Sequence, residues 1–347
     1  MLDVRSPGEY IHAHIPSAHS FPLFTDEERK IVGTTYKQQS REAAIKVGLD
    51  FFGPRMRKMV EEAEGIVESR KTVLVHCWRG GMRSAGVAWL LDLYGFKVFT
   101  LIGGYKFFRR WALNQFEFPW PMKILGGYTG SGKTELLKQL ALAGEVVIDL
   151  EAIAKHKGSA FGNIGLPSQP SQEMFENLLA VELHSKRSGK AADNGQLRSI
   201  WLEDESQRIG TVNIPQLIWL QMRKARVYFM DIPFAERLDH IAEEYGQLDR
   251  EKMIAAIERI QKRLGGMEAK TSIELLMEGK IKDAFRILLK YYDKWYLKGL
   301  ISRNNSGDLC ETLKLHSVNP VENARQLLQQ LEKTGTQKIA INEPGYR

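Results

Sequence analysis

Short apolar runs bounded by glycine alternate with stretches of helical spacing along this chain, and the pattern occurs twice. Leu2-Asp3-Val4-Arg5 predicts a strand, and Ser6-Pro7-Gly8-Glu9-Tyr10 predicts a turn that opens a helix. From about Asp26 to Ser69 apolar positions recur at helical spacing, broken near Gly53-Pro54. Thr72-Val73-Leu74-Val75-His76 is apolar and rich in β-branched residues, as a buried parallel strand requires. Helical spacing returns from Ser84 to Tyr94, and Val98-Phe99-Thr100-Leu101 predicts a strand stopped at Gly103-Gly104. Residues 114–121, with two prolines, predict a stiff connector and a domain boundary.

The second pattern opens with the strand Met122-Lys123-Ile124-Leu125, a glycine-rich loop and a helix from Thr134. Val146 to Asp149, Ser199 to Glu203 and Val227 to Asp231 predict further strands that end in carboxylates. From about Phe234 the chain turns helical and charged, through 252–264 and 281–297, and the final dozen residues read as frayed. The expected class is α/β: a parallel-sheet domain over 1–115, a second over 122–245, and a helical C-terminal region over 246–347. Sites are expected at the carboxyl ends of the strands.

The 347 residues leave room for two domains, and 43% hydrophobic with 26% charged residues fits folded chains rather than disorder. Lys plus Arg (49) exceeds Asp plus Glu (42) by 7, which suits a polyanionic partner. Two cysteines, Cys77 and Cys310, exclude a disulfide scaffold and a cysteine-rich zinc module. No apolar run nears the roughly 18 residues of a membrane span, and the first residues do not read as a signal peptide. The expectation is a soluble, cytoplasmic protein with no membrane partner.

Chemistry gathers on two loops. In the first, Cys77 stands where a buried strand ends and a helix is about to begin. Loop N–H groups and the helix N-terminus would face its sulfur, with Arg79 and Arg83 adding positive charge, all favouring thiolate over thiol. Gly80 and Gly81 give the loop the freedom such a cradle needs. A phosphatase loop shares this design. Cys310 reads as a packing residue, and His12, His14, His19 and His76 lack metal-ligand spacing.

In the second loop, Gly127-Tyr-Thr129-Gly130-Ser131-Gly132-Lys133-Thr134 matches G-x-x-x-x-G-K-[ST] in full, after a strand and before a helix. Backbone N–H groups would wrap a polyphosphate, Lys133 would reach its outer oxygens, and Thr134 could ligate Mg²⁺. The motif specifies a polyphosphate, not a nucleotide. Asp149 is the candidate metal-side carboxylate, with Asp231 a second strand-end acid. Glu203 and Glu205 can be general base, metal ligand or solvated charge. Lys155, Lys157, Arg208, Lys290 and Lys294 are candidate RNA contacts, as is the Lys186-Arg187-Ser-Gly-Lys190 run; Tyr291, Trp295 and Tyr296 can either stack bases or pack a helix onto the core.

Cys77 to Ser84, Asp3 to Tyr10 and His14-Ile15-Pro16-Ser17-Ala18 together resemble a rhodanese domain. That resemblance favours a sulfur carrier over a phosphatase loop and implies that Cys77 carries sulfur or selenium as a persulfide-type species. The chain is also similar to the bacterial tRNA 2-selenouridine synthase family. The similarity lies in Thr25 to Arg29, Gly33 to Gln39, Cys77 to Ser84, Gly127 to Thr134, Asp149-Leu-Glu151, Gly158 to Gly162 and Glu203 to Gly210.

This second resemblance implies replacement of sulfur by selenium in the wobble 2-thiouridine of tRNA. Selenophosphate is the implied selenium donor, and the S-geranyl intermediate is made from geranyl diphosphate. The implied partners are a tRNA anticodon loop carrying 2-thiouridine and a selenophosphate-supplying enzyme. Either the wobble base is flipped between the two sites or the anticodon loop moves from one to the other. Two other classes stay open at this level: a nucleotide-dependent kinase or NTPase with a regulatory or sulfur-relay rhodanese domain, and a binding module whose degenerate rhodanese domain docks a sulfur-relay partner.

Overall fold

The computed structural model describes residues 1–67, 71–188, 192–193, 196–303 and 310–334. The final dozen residues, read from the sequence as frayed, and Lys190 lie outside the described residues. The chain divides into two units, Met1–Gln115 with Glu176–Val181, and Phe116–Phe175 with Glu182–Arg347.

The first unit is built on four parallel strands, β1 (Leu2–Asp3), β2 (His19–Ser20), β3 (Thr72–His76) and β4 (Lys97–Thr100), in the order β2-β1-β3-β4. β3 has the bounds that its apolar pattern predicts. β2 was not legible, because two paired residues carry no periodicity. The helical stretch after Asp26 is broken twice, giving helices Asp26–Gln38, Arg41–Phe52 and Met56–Val67 around a single 3₁₀ turn, Gly53–Arg55. The extra break has a local cause. The Ser40 hydroxyl caps the second helix by accepting the Ala43 N–H at 3.1 Å. Met59, Val60 and Ala63 form the buried face of the third helix and meet Leu2, Val73, Val75, Val87 and Leu91 in the core. A buried ion pair sits in this unit: Arg5 donates to the Asp3 carboxylate at 2.6 Å and to the Ala13 carbonyl at 2.7 Å. Its guanidinium also lies 3.9 Å from the centre of the Tyr105 ring, so neither buried charge is left unpaired.

The second unit holds β5 (Met122–Gly127), β6 (Val146–Val147), β7 (Ala192–Asp193), β8 (Gln196–Leu197), β9 (Ile200–Glu203), β10 (Arg208–Ile209), β11 (Val212–Asn213), β12 (Arg226–Asp231) and β13 (Cys310–Lys314). Five of them form a parallel sheet in the order β13-β12-β5-β9-β6, while β7 with β8 and β10 with β11 are short antiparallel ribbons. The central strand β5 is buried and runs straight into the glycine-rich loop and the helix Lys133–Leu142.

Cys310, read from the sequence as packing rather than chemistry, opens an edge strand that pairs with Val227, so the chain returns to the sheet after its helical stretch. One strand end is corrected: pairing ends at Val147 rather than Asp149, because the Asp149 side chain turns to cap the helix Leu150–Ala154, accepting the Ala152 N–H at 2.8 Å. A separate apolar cluster, with Leu238, Ile241, Met253, Ile257, Phe285 and Leu288, holds together the helices between Phe234 and Arg303. Among the described residues no helix is long and apolar enough to cross a membrane.

Candidate active site: a cysteine cradle and a phosphate loop

Cys77 follows β3 and is buried, 3% exposed. Its Sγ accepts the Gly81 N–H at 3.3 Å and lies 3.3 Å from the Ser84 hydroxyl. Burial by itself pushes the thiol pKa up. Hydrogen bonding from the Ser84 hydroxyl and from the backbone N–H groups of Ser84, Arg79 and Gly81 outweighs it and lowers the pKa below the ordinary thiol value. The loop is held from behind by the residues after β4. Gly104, at φ +57°, packs so closely that a Cβ there would sit 2.3 Å from the Cys77 carbonyl oxygen. The Tyr105 and Lys106 N–H groups donate to the Cys77 and Trp78 carbonyls, both at 2.9 Å.

The two arginines expected to charge this cradle are placed differently. Arg83 donates to the Glu9 carboxylate at 2.8 Å, and Arg79 is exposed on the loop. The field at the sulfur therefore comes from amides and a hydroxyl. Ser84 is the contributor that residue-type reasoning passed over, although it closes the same motif.

In the second unit the Lys133 ammonium donates to the Gly127 carbonyl at 3.0 Å, and Ser131 donates to the Tyr128 carbonyl at 2.7 Å. Thr134 donates to Glu203 at 2.7 Å and lies 3.3 Å from Glu151. Ligand oxygens of Glu151, Glu203 and Glu205 all lie within 4.8 Å of one another. Gly158, at φ +61°, is what lets them converge, since a Cβ there would meet Glu205 at 2.5 Å and Glu151 at 2.8 Å. The Glu203 Oε2 atom is buried and has no hydrogen-bond partner. An orphaned buried oxygen among carboxylates and a threonine hydroxyl is a hard-oxygen donor set, which suits Mg²⁺.

Glu151 joins this cluster and Asp149 does not. Asp149 lines the same cavity and its Oδ1 caps the helix Leu150–Ala154, while Glu151 lies in the first turn of that helix and reaches Thr134. The spacing Asp149-Leu-Glu151 held that signal, but no local pattern says which acid faces the loop.

All three glutamates are pushed up to about 8, by burial first and then by one another. Their ordinary value is near 4.5, so the native state holds more protons than the unfolded chain between those limits. Metal-free protein is therefore expected to be most stable at about pH 5 and to lose stability as pH rises through 8. Thermal melts in chelator across that range check this. A flat profile, or one that Mg²⁺ leaves unchanged, would count against the cluster.

Gly130, Ser131, Lys133, the carboxylates and Tyr296 share a cavity of about 790 Å³ with Lys155 and Lys157. Lys157 is ion-paired with Glu244. Lys290 and Lys294 are exposed on the helix Ile281–Arg303, and Arg208 is exposed on its ribbon, donating to the Gly210 carbonyl at 2.9 Å. None of these three is among the cavity-lining residues. Asp231 is the exposed last residue of β12 and does not join the carboxylate cluster.

A parallel-sheet unit with a thiolate-favouring cysteine loop, followed by one with a phosphate loop and a carboxylate cluster, makes the chain a rhodanese–P-loop fusion. The model "Rhodanese-like domain" matches residues 1–110, and "tRNA 2-selenouridine synthase AAA domain" matches 120–307. The chain belongs to the tRNA 2-selenouridine synthase family.

The relatives that bear the name tRNA 2-selenouridine synthase include those of three bacteria. That of Nitrosomonas europaea is 37% identical over 71% of this chain. That of Hydrogenovibrio crunogenus is 37% identical over 77% of this chain and 76% of its own. That of Sulfurovum sp. is 33% identical over 85% of this chain and 84% of its own. The chain spans 63% of the length of the Nitrosomonas europaea relative. A solved N-terminal domain from Clostridium difficile 630 is 38% identical, covering 32% of this chain and 87% of its own, with a TM-score of 0.31.

Proposed function

We propose that this protein is a cytoplasmic transferase that replaces the sulfur of wobble 2-thiouridine in tRNA with selenium, passing through an S-geranyl intermediate. The observation that carries the reading is the presence in one chain of a thiolate-favouring cradle and a phosphate loop with a carboxylate cluster. Family membership supports the selenouridine part; selenophosphate, geranyl diphosphate and the partner enzyme that supplies selenophosphate belong to the proposal.

In the first step the thiouridine sulfur attacks the geranyl carbon. A C–S bond forms, the C–O bond to diphosphate breaks, and the base gives up its N3 proton. The loop amides and Lys133 hold the departing pyrophosphate, where positive charge counts most in the transition state. A divalent ion on Glu151, Glu203, Glu205 and Thr134 would neutralise the charge that develops on it. In the second step the selenium of selenophosphate adds to C2 as the alkylthiolate leaves, a better leaving group than a thiocarbonyl sulfur; water then attacks phosphorus, the Se–P bond breaks, phosphate is released and N3 takes back a proton. Cys77 holds the selenium donor in its amide cradle, with the exposed Arg79 free to turn toward an anion. Lys155 and Lys157, at the cavity, and Lys290, Lys294 and Arg208, on exposed surfaces, are the proposed tRNA contacts.

The test is mass spectrometry of the wobble nucleoside after thiolated tRNA meets the purified protein with geranyl diphosphate, selenophosphate, both or neither. Geranylthiouridine with the first alone and selenouridine with both is the expected result. No modified nucleoside in any mixture, together with nucleotide turnover that depends on Lys133, would replace this reading with a kinase or NTPase.

A further inference from the structure

The cavity of the second unit is larger than a phosphate seat. At about 790 Å³ it has the dimensions of a site for a drug-sized organic ligand, well beyond a diphosphate group. One side is polar, made by the glycine-rich loop and the carboxylates. Another is aromatic and apolar, made by the helix Ile281–Arg303. Tyr291 and Trp295, one turn apart on that helix, set their rings 6.4 Å apart, edge to face, with Leu300 and Leu166 also lining the space. Trp295 is 47% exposed, a large ring left open at a cavity wall.

This wall is fixed to the phosphate loop at two points. The Tyr296 hydroxyl accepts the Gly127 N–H at 3.1 Å and donates to Asp204 at 2.8 Å. Asp293 accepts two hydrogen bonds from Arg237, at 2.9 and 2.8 Å, and Arg237 donates to the Thr129 carbonyl at 3.0 Å. Arg237 is buried, so this second tie is shielded from solvent. The ring positions are therefore in fixed register with the loop that would hold a phosphate.

We infer that Trp295 and Tyr291 form the subsite for the organic group of the phosphate-loop ligand. That ligand is a diphosphate ester whose flat or unsaturated carbon skeleton lies against the two rings. The inference rests on the loop seating a diphosphate, but not on the ester being geranyl. An isoprenoid diphosphate and a nucleoside diphosphate share this chemistry.

Calorimetric titration of the full chain in Mg²⁺ with pyrophosphate, geranyl diphosphate and ADP separates them. At least one ester should bind more tightly than pyrophosphate. Trp295→Ala should remove that increment, about tenfold on the scale of aromatic stacking, and Trp295→Phe should keep most of it. Pyrophosphate affinity is the internal reference and reports whether the loop is intact. If both esters bind no better than pyrophosphate, or if Trp295→Ala weakens pyrophosphate as much as the ester, the subsite is wrong. If ADP alone gains from Trp295, the subsite stands and the geranyl donor is overturned. If pyrophosphate itself does not bind, the diphosphate seat and the subsite fail together.

Discussion

Cys77→Ser should leave the protein folded and its prenyl transfer intact, yet stop the appearance of selenouridine. The side chain is buried and the exchange of sulfur for oxygen is nearly isosteric, so the Gly81 N–H still finds an acceptor. Chemistry changes far more than shape. The cradle lowers the thiol pKa and so favours the thiolate, whereas a serine hydroxyl in the same place stays protonated. Geranylthiouridine should therefore accumulate in a reaction supplied with both donors. Selenouridine formed at the wild-type rate by Cys77→Ser would remove Cys77 from the mechanism.

Lys133→Ala should give the complementary defect. Its ammonium rests on the Gly127 carbonyl at 3.0 Å, already at the loop, so little reorganisation separates the resting state from contact with a departing phosphate. Removing one preorganised donor to a developing anion lowers kcat by about 10²–10³-fold, and geranyl transfer should fall by that factor. Alanine is the best helix former, so the start of Lys133–Leu142 should hold. Selenation of tRNA that already carries the geranyl group should survive. The assignment of the prenyl donor to this loop is lost if Lys133→Ala leaves prenyl transfer intact and abolishes only selenation.

Much of the architecture could be read locally. Thr72–His76, the loop after it and the helix that follows form one contiguous stretch, as do Met122–Gly127, the glycine-rich loop and the helix at Lys133. In each, strand period, glycine freedom and helix spacing fall within about twenty residues, so the pattern and the geometry are the same information. The nucleophile candidate and the phosphate seat were legible for that reason. Boundaries were less so: the Ser40 cap and the early end of β6 depend on one side chain turning back onto the backbone.

By itself, then, the sequence determined two parallel-sheet units, a cysteine at the end of one strand and a phosphate loop at the end of another. Only the tertiary structure decided what surrounds them. It put Ser84 and amides at the sulfur and tied Arg83 to Glu9, 74 residues away. It brought Glu151, Glu203 and Glu205 together by pairing β9 between β5 and β6, which sets the strand ends side by side. It carried Tyr296 back across 169 residues to the first glycine of the loop. Such groupings follow from the order in which strands pair and helices pack, and that order is set by burying the whole core rather than by any short run of residues.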